Sequence, residues 1–103
     1  MKKGGSERKF IALYSLKENV DQTRLAELMG RRAEHEFPKG MSLIAEYWSS
    51  KSSPACVAIY EADDAAALMI NSVIWVDALD VDVFPVHTWE ESLEKLSKLL
   101  AGD

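Results

Sequence analysis

Four segments of the chain are rich in β-branched and aromatic residues and lack helix-type spacing, which is typical of β-strands. They cover residues 9–16, 41–49, 55–61 and 79–86. The polar loop Ser50–Pro54 separates the second segment from the third and predicts an antiparallel hairpin. Pro85 near the end of the fourth segment favours a sheet edge, because proline cannot donate a ladder hydrogen bond.

Two segments between these strands have apolar residues at helical spacing. Asn19 is expected to cap the first helix, with Gln22 three residues later completing a capping box. Asp63 or Asp64 is expected to cap the second helix, which runs over residues 65 to about 75. This second helix is apolar on most sides, which predicts burial on more than one side.

A third, amphipathic helix is predicted at the C-terminal end, over residues 89–103. Thr88 and Glu91 form the capping-box pattern that begins it. Its apolar stripe consists of Trp89, Leu93, Leu96, Leu99 and Leu100. We expect this helix to pack on the preceding domain, residues 9–88, or on a partner. Residues 1–8 are expected to form a flexible basic tail.

The order β-α-β-β-α-β predicts a ferredoxin-like α+β domain with one antiparallel sheet and both crossover helices on the same face. Strict alternation places Leu43, Ala45 and Tyr47 on one face, and Ile44 with Trp48 on the other. Because both faces are apolar, the sheet needs two covers. The helices supply one, and the sheet of a second subunit is the expected other, which predicts a homodimer. The alternative cover is the C-terminal helix, folded over the open face of a monomer.

Composition narrows the class of protein. The chain has 103 residues, 48% hydrophobic and 28% charged, as expected of one globular domain. No apolar run approaches the roughly 20 residues that cross a bilayer, and no apolar segment follows the basic N-terminus as in a secretory signal. Cys56 is the single cysteine, which excludes an internal disulfide. These features predict a cytoplasmic protein that does not bind membranes.

Charge is unevenly distributed. The net charge is −5, and residues 1–10 carry four basic side chains and one acidic one, which leaves −8 for the rest. An acidic body repels phosphate backbones, so nucleic acid is excluded as an expected partner.

Three stretches resemble the dimeric α/β-barrel superfamily, in which two ferredoxin-like sheets pack face to face around a small cavity. They are Tyr47-Trp48, residues 57–68 and Val83-Phe84-Pro85-Val86, within a resemblance that covers Lys9 to His87. Within that superfamily they are similar to a group of short bacterial and archaeal domains of unknown function. The resemblance implies the fold and the dimer. It does not imply one activity, because the superfamily contains monooxygenases, isomerases, haem enzymes and ligand-binding modules.

Six aromatic residues are the candidate lining of a ligand pocket: Tyr14, Tyr47, Trp48, Tyr60, Trp75 and Phe84. Core packing is the alternative explanation of the same residues. His87 after the fourth strand and Tyr14 are the candidate proton-handling groups, although His87 also fits a strand end without chemistry. His35 lies at a helix C-terminus, where we expect a structural or solvated role.

Acidic residues offer a weaker hypothesis. Asp80 and Asp82 share one strand face and, with Glu46, form a candidate acidic pocket for a hard cation. The alternative is an exposed rim that protects an edge strand. We expect Cys56 to be a small, buried hydrophobic residue. No histidine–carboxylate spacing and no glycine-rich phosphate loop is present, so we predict neither a metal nor a cofactor.

The sequence therefore favours a non-catalytic homodimer that binds a small apolar or aromatic ligand, or a partner protein. The alternative is a cofactor-independent monooxygenase or isomerase acting on an aromatic or quinone-like substrate. In that case His87 or Tyr14 handles the proton, and Trp48 or Trp75 positions the ring. A third hypothesis is regulation through protein contacts of the C-terminal helix, which requires Leu93, Leu96 and Leu100 to be exposed.

Overall fold

A computed structural model describes residues 8–102 and contains four strands and three helices. In chain order they are β1 (Arg8–Leu16), α1 (Gln22–Glu34), β2 (Met41–Trp48), β3 (Cys56–Ala62), α2 (Ala65–Val73), β4 (Leu79–Val86) and α3 (Trp89–Leu100). The strands form one antiparallel sheet in the order β2-β3-β1-β4. The predicted α+β class and element order are confirmed, and the arrangement is roughly ferredoxin-like. The predicted flexible tail lies, apart from Arg8, outside the described residues.

Local signals at the ends of elements are mostly confirmed. β2 and β3 form the predicted hairpin, and β4 lies at a sheet edge. Asp64 caps α2, and Thr88 with Glu91 makes the predicted reciprocal capping box of α3.

The predicted cap of α1 is wrong. The cap is Asp21, whose side chain accepts from the backbone N–H of Arg24 at 2.8 Å. Asn19 instead lies in a turn closed by the backbone N–H of Val20 donating to Lys17. The chain turns before it begins the helix, which moves the cap two residues downstream of the predicted one.

A β-bulge in β2 changes which side chains face the helices. Leu43 pairs with Tyr60 and Ala45 pairs with Ile59, so Ile44 is an extra residue on the β2 side. The strict alternation predicted for this strand is therefore wrong: Leu43 and Ala45 lie on opposite faces. Beyond the bulge, side chains 46 and 48 face the helices, and side chains 45 and 47 face away.

The inner face of the sheet packs against α1 and α2. At its centre Ala12 and Ala58 are fully buried, and larger side chains surround them: Phe10, Tyr14, Tyr60 and Leu79. Small residues in the middle of a sheet let helices approach closely, while the tyrosines fill the space between the layers. Leu28 of α1 and Leu68 of α2 complete this core.

The outer face of the sheet is apolar and remains partly open in the single chain. Ile11, Leu13, Val57 and Ile59 are half-buried there. α3 does not seal this face, because no residue of α3 is buried. Outward-facing side chains of α2 are also open, with Met69 68% exposed, so burial on several sides is not achieved within one chain.

Candidate functional site

The six predicted aromatic residues divide between the two faces of the sheet. Tyr14, Trp48, Tyr60 and Trp75 line one pocket between the inner face and the two helices. Tyr47 and Phe84 lie on the outer face, where Tyr47 pairs with Val57 and Phe84 pairs with Ile11. The pocket therefore holds four of the predicted aromatic residues, while the other two belong to the open face.

The pocket is small, and all four strands contribute side chains to its lining. Its free volume is about 30 Å³. That is room for roughly one to three water molecules, since one needs about 10–15 Å³ of such volume. The end of α1 and the following loop close it with His35 and Phe37, and the turn after α2 contributes Trp75. His35 packs edge-on against both rings, at centroid distances of 4.9 Å to Phe37 and 5.3 Å to Trp75.

Four polar side chains form a hydrogen-bonded series at this pocket, which we call the polar chain: His35, Asn71, Tyr14 and Tyr60. All of them except Asn71 line the pocket. The hydroxyl oxygens of Tyr14 and Tyr60 are 2.8 Å apart. Asn71 Nδ2 donates to the Tyr14 hydroxyl at 3.4 Å, and Asn71 Oδ1 lies 2.7 Å from His35 Nε2. Asn71 is only 1% exposed, so its amide depends on these partners.

Burial keeps the two tyrosines protonated. Desolvation raises the pKa of Tyr14 far above its usual value, and the neighbouring Tyr60 raises it further. Burial also raises the pKa of Tyr60, although its hydrogen bond with Tyr14 opposes the shift. Both side chains are therefore hydrogen-bond donors at neutral pH, and Tyr14 is a poor general base.

A charged pair forms the opposite wall. Glu46 accepts two bonds from Arg32 Nε, both at 3.0 Å, and one from Arg32 Nη2 at 2.6 Å. It also accepts from the indole Nε1 of Trp48 at 2.8 Å, while the Sγ of Cys56 is 3.9 Å away. The hydrogen bonds from Arg32 lower the pKa of Glu46, and burial raises the pKa of Cys56 to about 12. The carboxylate and the guanidinium compensate each other, so the wall carries no net charge.

The two predicted catalytic candidates do not lie together. His87 is exposed and lines a separate open groove of about 340 Å³ beside α3, with charged neighbours that include Lys9, Glu91 and Lys98. Tyr14 lies inside the pocket on the inner face.

The acidic pocket hypothesis is wrong. Glu46 faces the helices because of the β2 bulge, whereas Asp80 and Asp82 lie on the outer face of β4. Asp80 pairs there with Lys17 at 3.2 Å. Within residues 8–102, no group of three or more His, Cys, Asp or Glu side chains is arranged to hold a metal ion.

Comparison with protein families adds one result. A family model described as Domain of unknown function (DUF3303) matches residues 8–100. The chain belongs to this family. The match spans all seven elements, so α3 is part of the DUF3303 domain. No curated protein and no solved structure matches the chain.

Sequence reasoning missed much of the site in this DUF3303 domain. His35 was expected to be structural or solvated, and Arg32 and Asn71 were not predicted to take part. The one available signal was Asn71, which with Ser72 interrupts an apolar helix. A buried amide needs partners, and here it joins α1 to β1 through His35 and Tyr14. None of the three helices in residues 8–102 is both long and apolar enough to cross a membrane.

Proposed function

We propose that this domain is a homodimer that binds a small apolar or aromatic ligand in the inner-face pocket of each protomer, without catalysing a reaction. The observation that carries the proposal is the convergence of four aromatic side chains in one pocket, where three members of the polar chain also line the wall. Aromatic walls with a few placed polar groups are characteristic of small-molecule sites. The compensated Arg32–Glu46 wall favours a neutral ligand over an ion.

Ligand entry requires the pocket to open. An apolar cavity that accepts benzene measures about 150 Å³, well above the free volume of the closed pocket. Trp48 is the side chain best placed to move, because it lies on the edge strand β2 and is 40% exposed. Rotation of its indole away from Glu46 breaks one hydrogen bond and opens the β2 side of the pocket. The proposal therefore includes a movement of Trp48 on binding.

The homodimer is supported by the open outer face of the sheet. In the proposed dimer two such faces pack together, as the resemblance to dimeric α/β barrels implies. The exposed stripe of α3 then packs on the partner subunit or binds another protein. Leu93, Leu96 and Leu100 are 46%, 50% and 78% exposed, which meets the condition set for such contacts. A cytoplasmic location also belongs to the proposal, and a free thiol at Cys56 is compatible with a reducing compartment.

Binding is tested by tryptophan fluorescence. Trp48 and Trp75 line the pocket, whereas Trp89 is exposed on α3, so a Trp89→Phe background reports the pocket alone. Toluene, naphthalene and α-methylstyrene are titrated into this background, with melting temperature as a second readout. We expect saturable quenching and a rise in melting temperature, unchanged by Met69→Ala on the exposed side of α2. No quenching and no thermal shift with any of the three probes would refute ligand binding.

One observation keeps the enzymatic alternative as a second candidate. The imidazole of His35 lines the pocket and is hydrogen-bonded to Asn71, so a cofactor-independent monooxygenase or isomerase has a proton carrier there. In this alternative His35 replaces His87, and Tyr14 acts as a donor. Turnover of a small quinol under air is the test, compared between the wild type, His35→Ala and His87→Ala. Loss of turnover in His35→Ala alone supports catalysis, and absence of turnover in the wild type rejects it for this substrate class.

A further inference from the structure

The hydrogen bonds of the polar chain can be followed from donor to acceptor, beginning at His35. The atom of Asn71 that faces His35 is the carbonyl oxygen Oδ1, which only accepts hydrogen bonds. His35 Nε2 therefore carries a proton and donates it. The Asn71 amide group Nδ2, at the other end of the side chain, donates to the Tyr14 hydroxyl. His35 and Asn71 thus each donate a hydrogen bond to the next group nearer the sheet.

The same direction continues through the two tyrosines. The Tyr14 oxygen already accepts from Asn71, and successive hydrogen bonds strengthen one another when they run the same way. The hydroxyl oxygens of Tyr14 and Tyr60 are 2.8 Å apart and either hydroxyl can donate, and donation from Tyr14 to Tyr60 is the arrangement that continues the series. In that arrangement the proton of Tyr60 is the end of the series. Among the hydrogen bonds of residues 8–102, none accepts that proton.

Tyr60 is also hidden from solvent. Its side chain lines the pocket, and the residue is only 4% exposed. A buried hydroxyl proton without a protein acceptor needs a partner in the pocket space, which either water or a ligand can supply. Tyr60 thus combines burial, an unused donor and a position on the pocket wall.

We propose that Tyr60 donates a hydrogen bond to the ligand, and that the ligand is a neutral aromatic carbonyl compound. This inference rests on the proposed ligand-binding function and names its ligand class. The ligand needs a hydrogen-bond acceptor because the pocket offers an O–H donor, and the acceptor proposed is a carbonyl oxygen. The ligand is neutral because Arg32, the cation on the wall, is already paired with Glu46. The flat ring is matched by the aromatic walls, above all Trp48 and Trp75.

A pair of isosteric probes tests this assignment. Acetophenone and α-methylstyrene have nearly the same shape, but only acetophenone carries an acceptor oxygen. We expect wild-type protein to bind acetophenone about three- to tenfold more tightly, the effect of one net hydrogen bond. Tyr60→Phe is expected to abolish the preference while still binding α-methylstyrene. Tyr47→Phe makes the same change at an exposed tyrosine on the outer face and is expected to keep the preference.

A spectroscopic readout does not depend on a variant that folds. The carbonyl stretch of acetophenone bound to wild-type protein is expected at a lower frequency than in an apolar solvent, because a donated hydrogen bond weakens the C=O bond. Equal affinities of the two probes, or a preference that persists in folded Tyr60→Phe, overturn this inference while leaving ligand binding intact. So does a crystal structure in which Tyr60 holds only a water molecule beside bound acetophenone. If neither probe binds wild-type protein, this inference fails, and the proposed function fails with it only when toluene and naphthalene also do not bind.

Discussion

Glu46 connects the charge balance of the pocket to the position of its most exposed wall residue. Its carboxylate holds Arg32 on one side and the indole of Trp48 on the other. The side chain of Glu46 is 15% exposed, so the carboxylate is stabilised mainly by these bonds and little by water. A change at this position therefore affects stability and access to the pocket together.

Replacement of Glu46 by Gln tests this balance. The variant leaves Arg32 half-buried without its counter-charge, so we expect a loss of about 1–3 kcal/mol in the free energy of unfolding at pH 7, measured with urea. The pKa of Glu46 is lowered in the folded state from an ordinary value of 4.5. Its contribution is therefore present above that pH and lost as the pH falls below it.

The dependence of stability on pH provides a second test of this substitution. The loss of stability between pH 6 and pH 3 is expected to be smaller in Glu46→Gln than in the wild type. Asp82→Asn removes an exposed carboxylate on the outer face and is expected to leave stability at pH 7 within about 0.5 kcal/mol. Identical acid dependence in wild type and Glu46→Gln contradicts the structural role of the pair.

Cys56 gives a second residue-scale prediction. The thiol is buried, and its pKa is raised to about 12, so almost no thiolate exists at pH 8. We expect native protein to react with a disulfide reagent such as Ellman's reagent only very slowly, and protein in guanidinium to react at once with one thiol per chain. Rapid reaction of the native state would mean that the wall beside Glu46 opens far more often than the packing implies.

At the scale of elements, the bulge in β2 explains which side chains of that strand the sequence assigned to the wrong face. The order and approximate positions of the strands and helices follow from periodicity and caps and were predicted. Exceptions are the cap of α1 and the ends of α2 at Val73 and α3 at Leu100, which come earlier than predicted. One extra residue at Ile44 reverses every later side chain of β2, which turns Glu46 inward and Tyr47 outward. Alternation carries no signal of such an insertion, because Ile44 is as apolar as its neighbours.

The polar chain was unpredictable for a different reason. His35 and Asn71 are 36 residues apart, and Asn71 and Tyr14 are 57 apart. Each residue belongs to a different element, so their meeting depends on how α1 and α2 lie on the sheet. Local pattern determines those helices and their buried sides, but not the contact of two particular side chains.

The beginning of α1 provides the element-scale prediction. Asp21→Ala removes the side chain that accepts from the Arg24 N–H, and we expect a loss of about 1 kcal/mol in the free energy of unfolding. Asn19→Ala changes the residue that the capping-box pattern favoured and is expected to cost less than about 0.5 kcal/mol. Chemical denaturation of both variants decides between them. A larger loss of stability in Asn19→Ala than in Asp21→Ala would mean that Asn19 is the cap of α1.

At the scale of the whole molecule, too much apolar surface is left open for an isolated chain. The outer sheet face, the outward side of α2 and the stripe of α3 are all partly or fully exposed. The radius of gyration is 16.3 Å, above the roughly 13 Å expected for a compact domain of this length. Open apolar surfaces of this kind are what the proposed dimer would bury.

The mass in solution tests the proposed dimer, and two variants test which surface forms it. If two outer faces pack together, wild-type protein has a mass of about 23 kDa, twice the 11.5 kDa of one chain. Ile59→Glu places a charge at the centre of that face, beside Ile11 and Ala45, and is expected to give a folded monomer because a buried unpaired carboxylate opposes docking. Val73→Glu places the same charge on α2, where Val73 is 61% exposed, and is expected to leave the dimer intact.

Sedimentation equilibrium measures the masses, and circular dichroism verifies that each variant is folded. A monomeric wild type rejects the dimer, while dissociation by Val73→Glu alone moves the interface to the helical side. The two pockets would then lie beside the contact instead of on the far sides of the paired sheets.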